Sequence, residues 1–247
     1  MGGTARRLVA LLAAAGLLVA ACERDQAGSA AAPSTTTPAL TKRCLEGGEQ
    51  VFGFPVAGAP TAGVALGQGP TGLVLGHQLG SDLCEWLPLA RELAAGGRQV
   101  LAFDFGPSAR IETVVAAAAA ELRRRGAARL VLVGSSMGGT AAIAAAAQIT
   151  PPVAGVVSLS GPEEFRGADA AAAAARLRLP ALLIVAEDDP PFDDDARALY
   201  RALPGRDKRL LVLEGGGHGT SLLEFGDQAP RARAAFDRFL ETTLGGG

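Results

Sequence analysis

Glycines at 134 and 138 bracket Ser136 in the run Arg129 to Thr140, which reads R-L-V-L-V-G-S-S-M-G-G-T. A serine hydroxyl is a weak nucleophile at neutral pH and needs an adjacent base to take its proton. The spacing G-x-S-x-G gives such a serine its setting, a strand-to-helix elbow so sharp that side chains at the flanking positions would collide. The Oγ is then presented at a helix N-terminus, where free N–H groups and the dipole favour developing negative charge. The chain has two histidines, His77 and His218. His218 lies in Gly215-Gly216-Gly217-His218-Gly219, directly after an apolar run, and the glycines let a loop carry its imidazole toward the elbow. An imidazole acting as base needs a carboxylate to fix its tautomer. The run Ala181 to Val185 leads into Ala186-Glu187-Asp188-Asp189-Pro190-Pro191, where Asp189 is favoured and Asp188 is second. Asp193 to Asp195 read instead as a helix start, with Asp193 as the cap.

These residues need a scaffold that brings three distant segments to one edge. Leu130 to Val133 is apolar without alternation, as in a strand buried on both faces of a parallel sheet. Further strands are expected at Gln50 to Val56, Gly63 to Leu66, Thr71 to Gly76, Gln99 to Phe103, Val153 to Leu159, Ala181 to Val185 and Arg209 to Leu213. Helices are expected at Asp82 to Ala95, Ile111 to Arg125, Thr140 to Ile149, Ala168 to Arg176, Asp194 to Ala202 and Pro230 to Thr243. Strands followed by βαβ units predict an α/β fold: a doubly wound, mostly parallel sheet with antiparallel N-terminal strands and helices on both faces. The open edge at the strands' C-terminal ends is where such sheets place their sites.

The N-terminus reads as a targeting segment. Arg6 and Arg7 precede the apolar run Leu8 to Ala21, which as a helix spans only ~21 Å, short of the ~30 Å hydrocarbon core. Residues 1–21 are therefore expected to be a signal peptide, and Val19-Ala20-Ala21-Cys22 resembles the lipobox of bacterial lipoproteins, with Cys22 the lipidated residue. Residues 22–43, rich in Ala, Ser, Thr and Pro, carry no apolar periodicity and read as a flexible tether. Residues 44–247 form the folded domain. The expected location is the extracytoplasmic face of the cell membrane, held by a lipid anchor. With Cys22 acylated, Cys44 and Cys84 remain as a pair in an oxidising compartment, and a disulfide between them is expected. No His or Cys cluster sits near either, so no metal is expected. Net charge is −2 and no basic stripe is visible, which argues against nucleic acid as a partner.

The chain order Ser136, Asp189, His218 is that of the α/β-hydrolases, and Glu49 to Leu244 resembles that superfamily, in the manner of a lidless esterase or dienelactone hydrolase. G-H-Q-L-G-S-D-L-C-E-W-L at Gly76 to Leu87 is similar to the family's His-Gly-x oxyanion segment, Val100 to Asp104 to its fourth strand, and I-V-A-E-D-D to its acid turn. Gln78 replaces the common Gly, and Phe105 to Ser108 lacks the usual Arg-Gly-x-Gly pattern. The resemblance implies catalysis by Ser136, Asp189 and His218, and an oxyanion hole from the backbone N–H groups of Leu79 and Met137. It makes His77 structural and implies no cofactor. Gly161 to Leu179 leaves room for one short helix and no cap domain. The expected function is a monomeric serine hydrolase acting on small-molecule carboxylic esters. A binding lipoprotein that has lost catalysis, and a peptidase, amidase or lactonase on the same fold, are the alternatives.

Overall fold

The computed structural model describes residues 42, 44–46, 49–57, 59–106 and 110–245. The expected signal peptide, Cys22, nearly all of the tether and Pro107-Ser108 lie outside the described residues.

The chain runs β1 (Gln50–Val56), β2 (Ala59–Leu66), β3 (Thr71–Gly76), a 3-10 turn (Leu83–Trp86), α1 (Leu87–Ala95), β4 (Gln99–Phe103), α2 (Ile111–Arg124) and β5 (Arg129–Ser135). It continues through α3 (Met137–Ala146), β6 (Gly155–Leu159), β7 (Glu164–Phe165), β8 (Ala168–Asp169), α4 (Ala170–Ala174) and β9 (Ala181–Ala186). The last elements are α5 (Phe192–Ala202), β10 (Lys208–Leu213), α6 (Ser221–Glu224) and α7 (Ala229–Leu244). Eight strands form one sheet in the order β1-β2-β4-β3-β5-β6-β9-β10. β2 is antiparallel to β1 and to β4, and from β4 to β10 every neighbour is parallel. β3 therefore sits inside the parallel block instead of closing an N-terminal meander.

Side chains on each strand alternate between two cores. On β5, Leu130 and Leu132 face a layer made by α2, α3, α4 and α5, while Val131 and Val133 face α1, α6 and α7. Both faces are covered, so the strand has no polar side to show and reads as a continuous apolar run. Truncating such a side chain, Leu132→Ala for example, costs about 2–5 kcal/mol.

Several boundaries differ from expectation. The predicted helix from Asp82 splits: Asp82 caps the 3-10 turn by accepting from the Cys84 N–H, and α1 starts afresh with Pro88 in its first turn. The elbow helix begins at Met137, directly after Ser136, three residues earlier than expected. Ala168 and Asp169 pair with Glu164 and Phe165 in a two-residue hairpin, so only Ala170–Ala174 is helical. α5 starts at Phe192, with Pro191 at the cap position, which corrects the expectation that Asp193 caps it. Asp193 to Asp195 instead occupy the first turn, where their charge complements the dipole.

Cys44 and Cys84 are joined by a disulfide, with Cα atoms 5.7 Å apart. The same corner is clasped by Lys42, whose Nζ lies 2.8 Å from Asp104 Oδ2 and 2.9 Å from Asp82 Oδ2. Asp104 Oδ1 also accepts from the Leu83 N–H at 2.9 Å. Burial alone would lower the Lys42 ammonium pKa, but the hydrogen bonds to Asp104 and Asp82 outweigh it and hold it above the ordinary value.

Candidate active site

The sheet's C-terminal edge brings the three segments together. β5 ends at Ser135, and Ser136 follows with φ 48° and ψ −113° before α3 begins. For a non-glycine residue this backbone stores about 1–3 kcal/mol. Its glycines are required by contact. A Cβ on Gly134 would lie 2.0 Å from the Gly138 carbonyl carbon, and one on Gly138 would lie 2.1 Å from the Gly76 carbonyl oxygen. The second approach sets the loop after β3 directly on the start of α3. It sets the Gly76 and His77 carbonyls against Gly138, the residue after Met137, whose N–H is one of the helix-start donors that have no intrahelical partner.

That loop is tied down at three points. His77 Nε2 accepts from the Phe105 N–H at 3.1 Å, which leaves Nδ1 to donate to the Gln78 carbonyl at 2.7 Å. Both ring nitrogens are thus occupied by backbone, and His77 is 5% exposed, so it holds the loop in shape. The Gln78 N–H donates to Glu85 Oε2 at 3.1 Å, and the Ser135 hydroxyl donates to Gln78 Oε1 at 3.3 Å. With the Gln78 N–H engaged, Leu79 is the next backbone donor along the loop. Its side chain is 55% exposed at the site's edge.

His218 leaves β10 on the glycine loop. Its Nδ1 lies 2.9 Å from Asp189 Oδ2 and 3.1 Å from Oδ1. Asp188 is exposed, and its N–H donates to the Gly215 carbonyl. Of the two candidate acids, Asp189 is therefore the one against the imidazole. The loop is anchored beside the elbow: the Gly219 N–H donates to Ser160 Oγ at 3.2 Å, and a Cβ on Gly219 would lie 2.2 Å from Ser135 Oγ. Ser136 Oγ makes no hydrogen bond to His218 among the described residues; what the elbow touches is the loop that carries the imidazole, through Gly219 against Ser135. Ser136 is 9% exposed, so only a narrow approach reaches it.

A model of the dienelactone hydrolase family matches residues 104–241, more than half of the chain and the whole span from β5 to the body of α7. The chain belongs to the dienelactone hydrolase family. Among solved structures, it is similar to a dienelactone hydrolase from Anabaena variabilis, at 22% identity and TM-score 0.62, over 79% of this chain and 97% of that one. It is similar to the esterase domain of a Rhodothermus marinus protein, at 20% identity and TM-score 0.65, over 80% and 99%. A monoacylglycerol lipase from Paleococcus ferrophilus aligns at 19% identity and TM-score 0.63, over 74% and 99%. No curated protein matches the sequence. At these identities the solved structures establish the shared fold, a mostly parallel sheet with helices on both sides, and the family match makes the chain an esterase-type hydrolase.

Within this dienelactone hydrolase family member, several supporting residues escape a motif search. Phe192, the first residue of α5, places its ring 4.5 Å from that of His218. Ser160, at φ 51° just past β6, holds Gly219. Ser221 Oγ accepts from the His218 N–H and donates to the His218 carbonyl, closing a tight turn under the imidazole. Only their positions just beyond a strand's C-terminal end mark them in the sequence. On the far side of Phe192, burial pushes the Asp195 carboxyl up, the Glu163 N–H opposes this, and repulsion from Asp194 and Asp193 adds to the rise. Among the described residues no group of three or more His, Cys, Asp or Glu side chains could hold a metal ion.

Proposed function

We propose that the chain is an exported serine hydrolase that cleaves carboxylic esters through an acyl-enzyme. The observation that carries this reading is the His218–Asp189 contact on a loop whose next residue rests against Ser135. Asp189 would hold Nδ1–H and leave Nε2 as the basic nitrogen facing Ser136. His218 takes the Ser136 proton as Oγ bonds to the ester carbonyl carbon. The carbonyl electron pair moves to oxygen, and the oxyanion is met by the N–H groups of Met137 and Leu79. On collapse the carbon–alkoxy bond breaks and His218 returns its proton to the departing alcohol. Water repeats the sequence on the acyl-serine, releasing the acid and restoring Ser136. A lactone is an internal ester and the same steps open it, so lactone hydrolysis is the second reading, favoured by the family match.

The envelope location rests on Arg6-Arg7, the apolar run and Val19 to Cys22. An anchor at Cys22 would tether a monomeric hydrolase to the outer face of the membrane, and Cys22→Ala would release it or block its processing. The catalytic reading is tested with a fluorophosphonate probe and p-nitrophenyl esters of graded acyl length. Wild type should label at Ser136 and turn over short esters. Ser136→Ala and His218→Ala should each lose about 10⁴- to 10⁶-fold in turnover, because such groups act as a unit. A Ser136→Ala protein with wild-type esterase activity would overturn the mechanism, and an unlabelled wild type inactive on every ester would favour a binding role.

A further inference from the structure

The two ends of the sheet differ in charge. Around the candidate site lie the acids Glu163, Glu187, Asp188, Asp193, Asp194 and Glu214, with Arg110, Arg166 and Arg197 among them. The opposite end, where the parallel strands begin, gathers cations that are scattered in sequence. Arg129 opens β5, Arg176 and Arg178 precede β9, Arg206 precedes β10, and Lys208 and Arg209 are its first two residues. Arg123, Arg124 and Arg201 close α2 and α5, where a helix C-terminus accounts for positive charge. The strand-leading loops have no such reason to be basic. Among the described residues, the guanidinium groups of Arg176, Arg178, Arg206, Arg209 and Arg238 make no hydrogen bond or ion pair with protein, and all five are exposed. The acids at this end are few: Glu121 is already paired with Arg124 and Arg125, leaving Asp207 and Glu241.

Four of the cations rim a groove of about 440 Å³ between β9–β10 and α7. Its floor is Pro180, Ala181, Ala235 and Phe239, and Arg206, Lys208, Arg209 and Arg238 stand around it beside Asp207. Lys208 is fixed, donating to the Tyr200 and Leu203 carbonyls, so the mobile charges are the three arginines.

We propose that this end of the domain docks on an anionic phospholipid surface, with headgroup phosphates on Arg206, Arg209 and Arg238 and the groove taking the apolar part just beneath them. Guanidinium groups without protein partners can each meet a phosphate in a forked pair of hydrogen bonds. An anionic leaflet attracts cations near it strongly enough that each contributes about fivefold in affinity. The acidic end is repelled by the same surface, so the domain lies with its hydrolytic site turned toward the aqueous space. Twenty residues separate Cys22 from Lys42 and span up to roughly 70 Å when extended, enough to allow this orientation for an anchored chain. The proposal goes beyond the ester reading and does not depend on it.

The test uses residues 35–247, the compact unit to which the described residues belong, so that no acyl chain contributes. Sedimentation with vesicles of phosphatidylcholine containing one third phosphatidylglycerol should capture the protein at 50 mM salt. Pure phosphatidylcholine should not, and 500 mM salt should release it. The triple variant Arg206→Glu/Arg209→Glu/Arg238→Glu should bind at least tenfold more weakly while hydrolysing a soluble ester at the wild-type rate. Arg166→Glu/Arg197→Glu, which adds the same kind of charge near the site end, should bind as wild type. Ser136→Ala should also bind as wild type, so a failure of the catalytic reading leaves this result untouched. Equal binding to neutral vesicles, no binding, or a triple variant that binds like wild type would overturn the proposal. So would retention on heparin without vesicle binding, which would assign the face to a soluble polyanion.

Discussion

Gly219→Ala probes how the base is held in place. The glycine has φ +62°, and a Cβ there would lie 2.2 Å from Ser135 Oγ and 2.5 Å from Gln78 Oε1. An ordinary contact is about 3.4 Å, so roughly 1 Å of movement must be found somewhere. Gln78 can swing its amide away, but Ser135 sits on the end of a buried central strand and cannot, so the displacement falls on the loop carrying His218. A shift of about 1 Å in a catalytic group costs on the order of 10²-fold in kcat/KM. The left-handed backbone adds about 1–2 kcal/mol of strain for alanine, which in a domain of this size lowers Tm by about 2–8 °C. The assay is kcat/KM on a short p-nitrophenyl ester together with thermal unfolding. Gly216→Ala is the control, since nothing lies within 4 Å of a Cβ there, and it should stay within about twofold of wild type. Ser135→Ala/Gly219→Ala removes the nearer obstacle and should recover part of the lost activity. Wild-type activity in Gly219→Ala, or a double variant no better than the single, would refute the contact argument.

The remaining expectations are as direct. Asp189→Asn should lower kcat/KM by about 10²–10⁴-fold and Asp188→Asn by less than about threefold, and the reverse order in steady-state kinetics would reassign the acid. Replacing both Cys44 and Cys84 with Ala should cost about 2–4 kcal/mol in urea unfolding, because the bridge closes a loop 40 residues long. Burial opposes it, but Lys42 and the Cys84 N–H hold the Asp82 carboxyl below the ordinary value, so its contribution is present above about pH 4 and fades as pH falls through the folded pKa. Asp82→Asn should therefore lose up to about 1 kcal/mol at pH 7, a small figure because the carboxylate is 45% exposed, and converge with wild type once pH falls below the folded pKa. For Glu224 burial, then repulsion from Glu85 and Glu92, raises the carboxyl pKa, so Glu224→Gln should raise Tm slightly at pH 7 and not at pH 4.

The elements legible in the sequence were those whose cause is local. The unbroken apolar run at 130–133 identifies a strand buried on both faces, and the glycines at 134 and 138 identify an elbow, because both are consequences of contact within a few residues. The His218 loop was visible through its glycines. What was not visible depends on distant chain segments. That β3 lies between β4 and β5 is a matter of sheet order, which no periodicity encodes. The restart of a helix at Leu87 follows from Asp82 finding the Cys84 N–H and from Pro88, and a hydrophobic pattern runs straight through both. Phe192 and Ser160 gain their roles from what lies across the sheet edge. The basic face is the strongest case, since its arginines come from a loop, a strand and a helix and form no stripe until these elements align.

All ten residues of α3 are buried, and seven of them are glycine or alanine, the exceptions being Met137, Thr140 and Ile143.

 None of those seven carries a side-chain atom beyond Cβ. Such a helix rides close to the sheet, and there is no slack between them for a larger residue. Variation during descent is thereby shut out of the segment nearest the nucleophile. New substrate preferences in this lineage have to be written elsewhere, in the segments 161–180, 187–195 and 214–228 that follow the strands, where a change of shape leaves the elbow undisturbed.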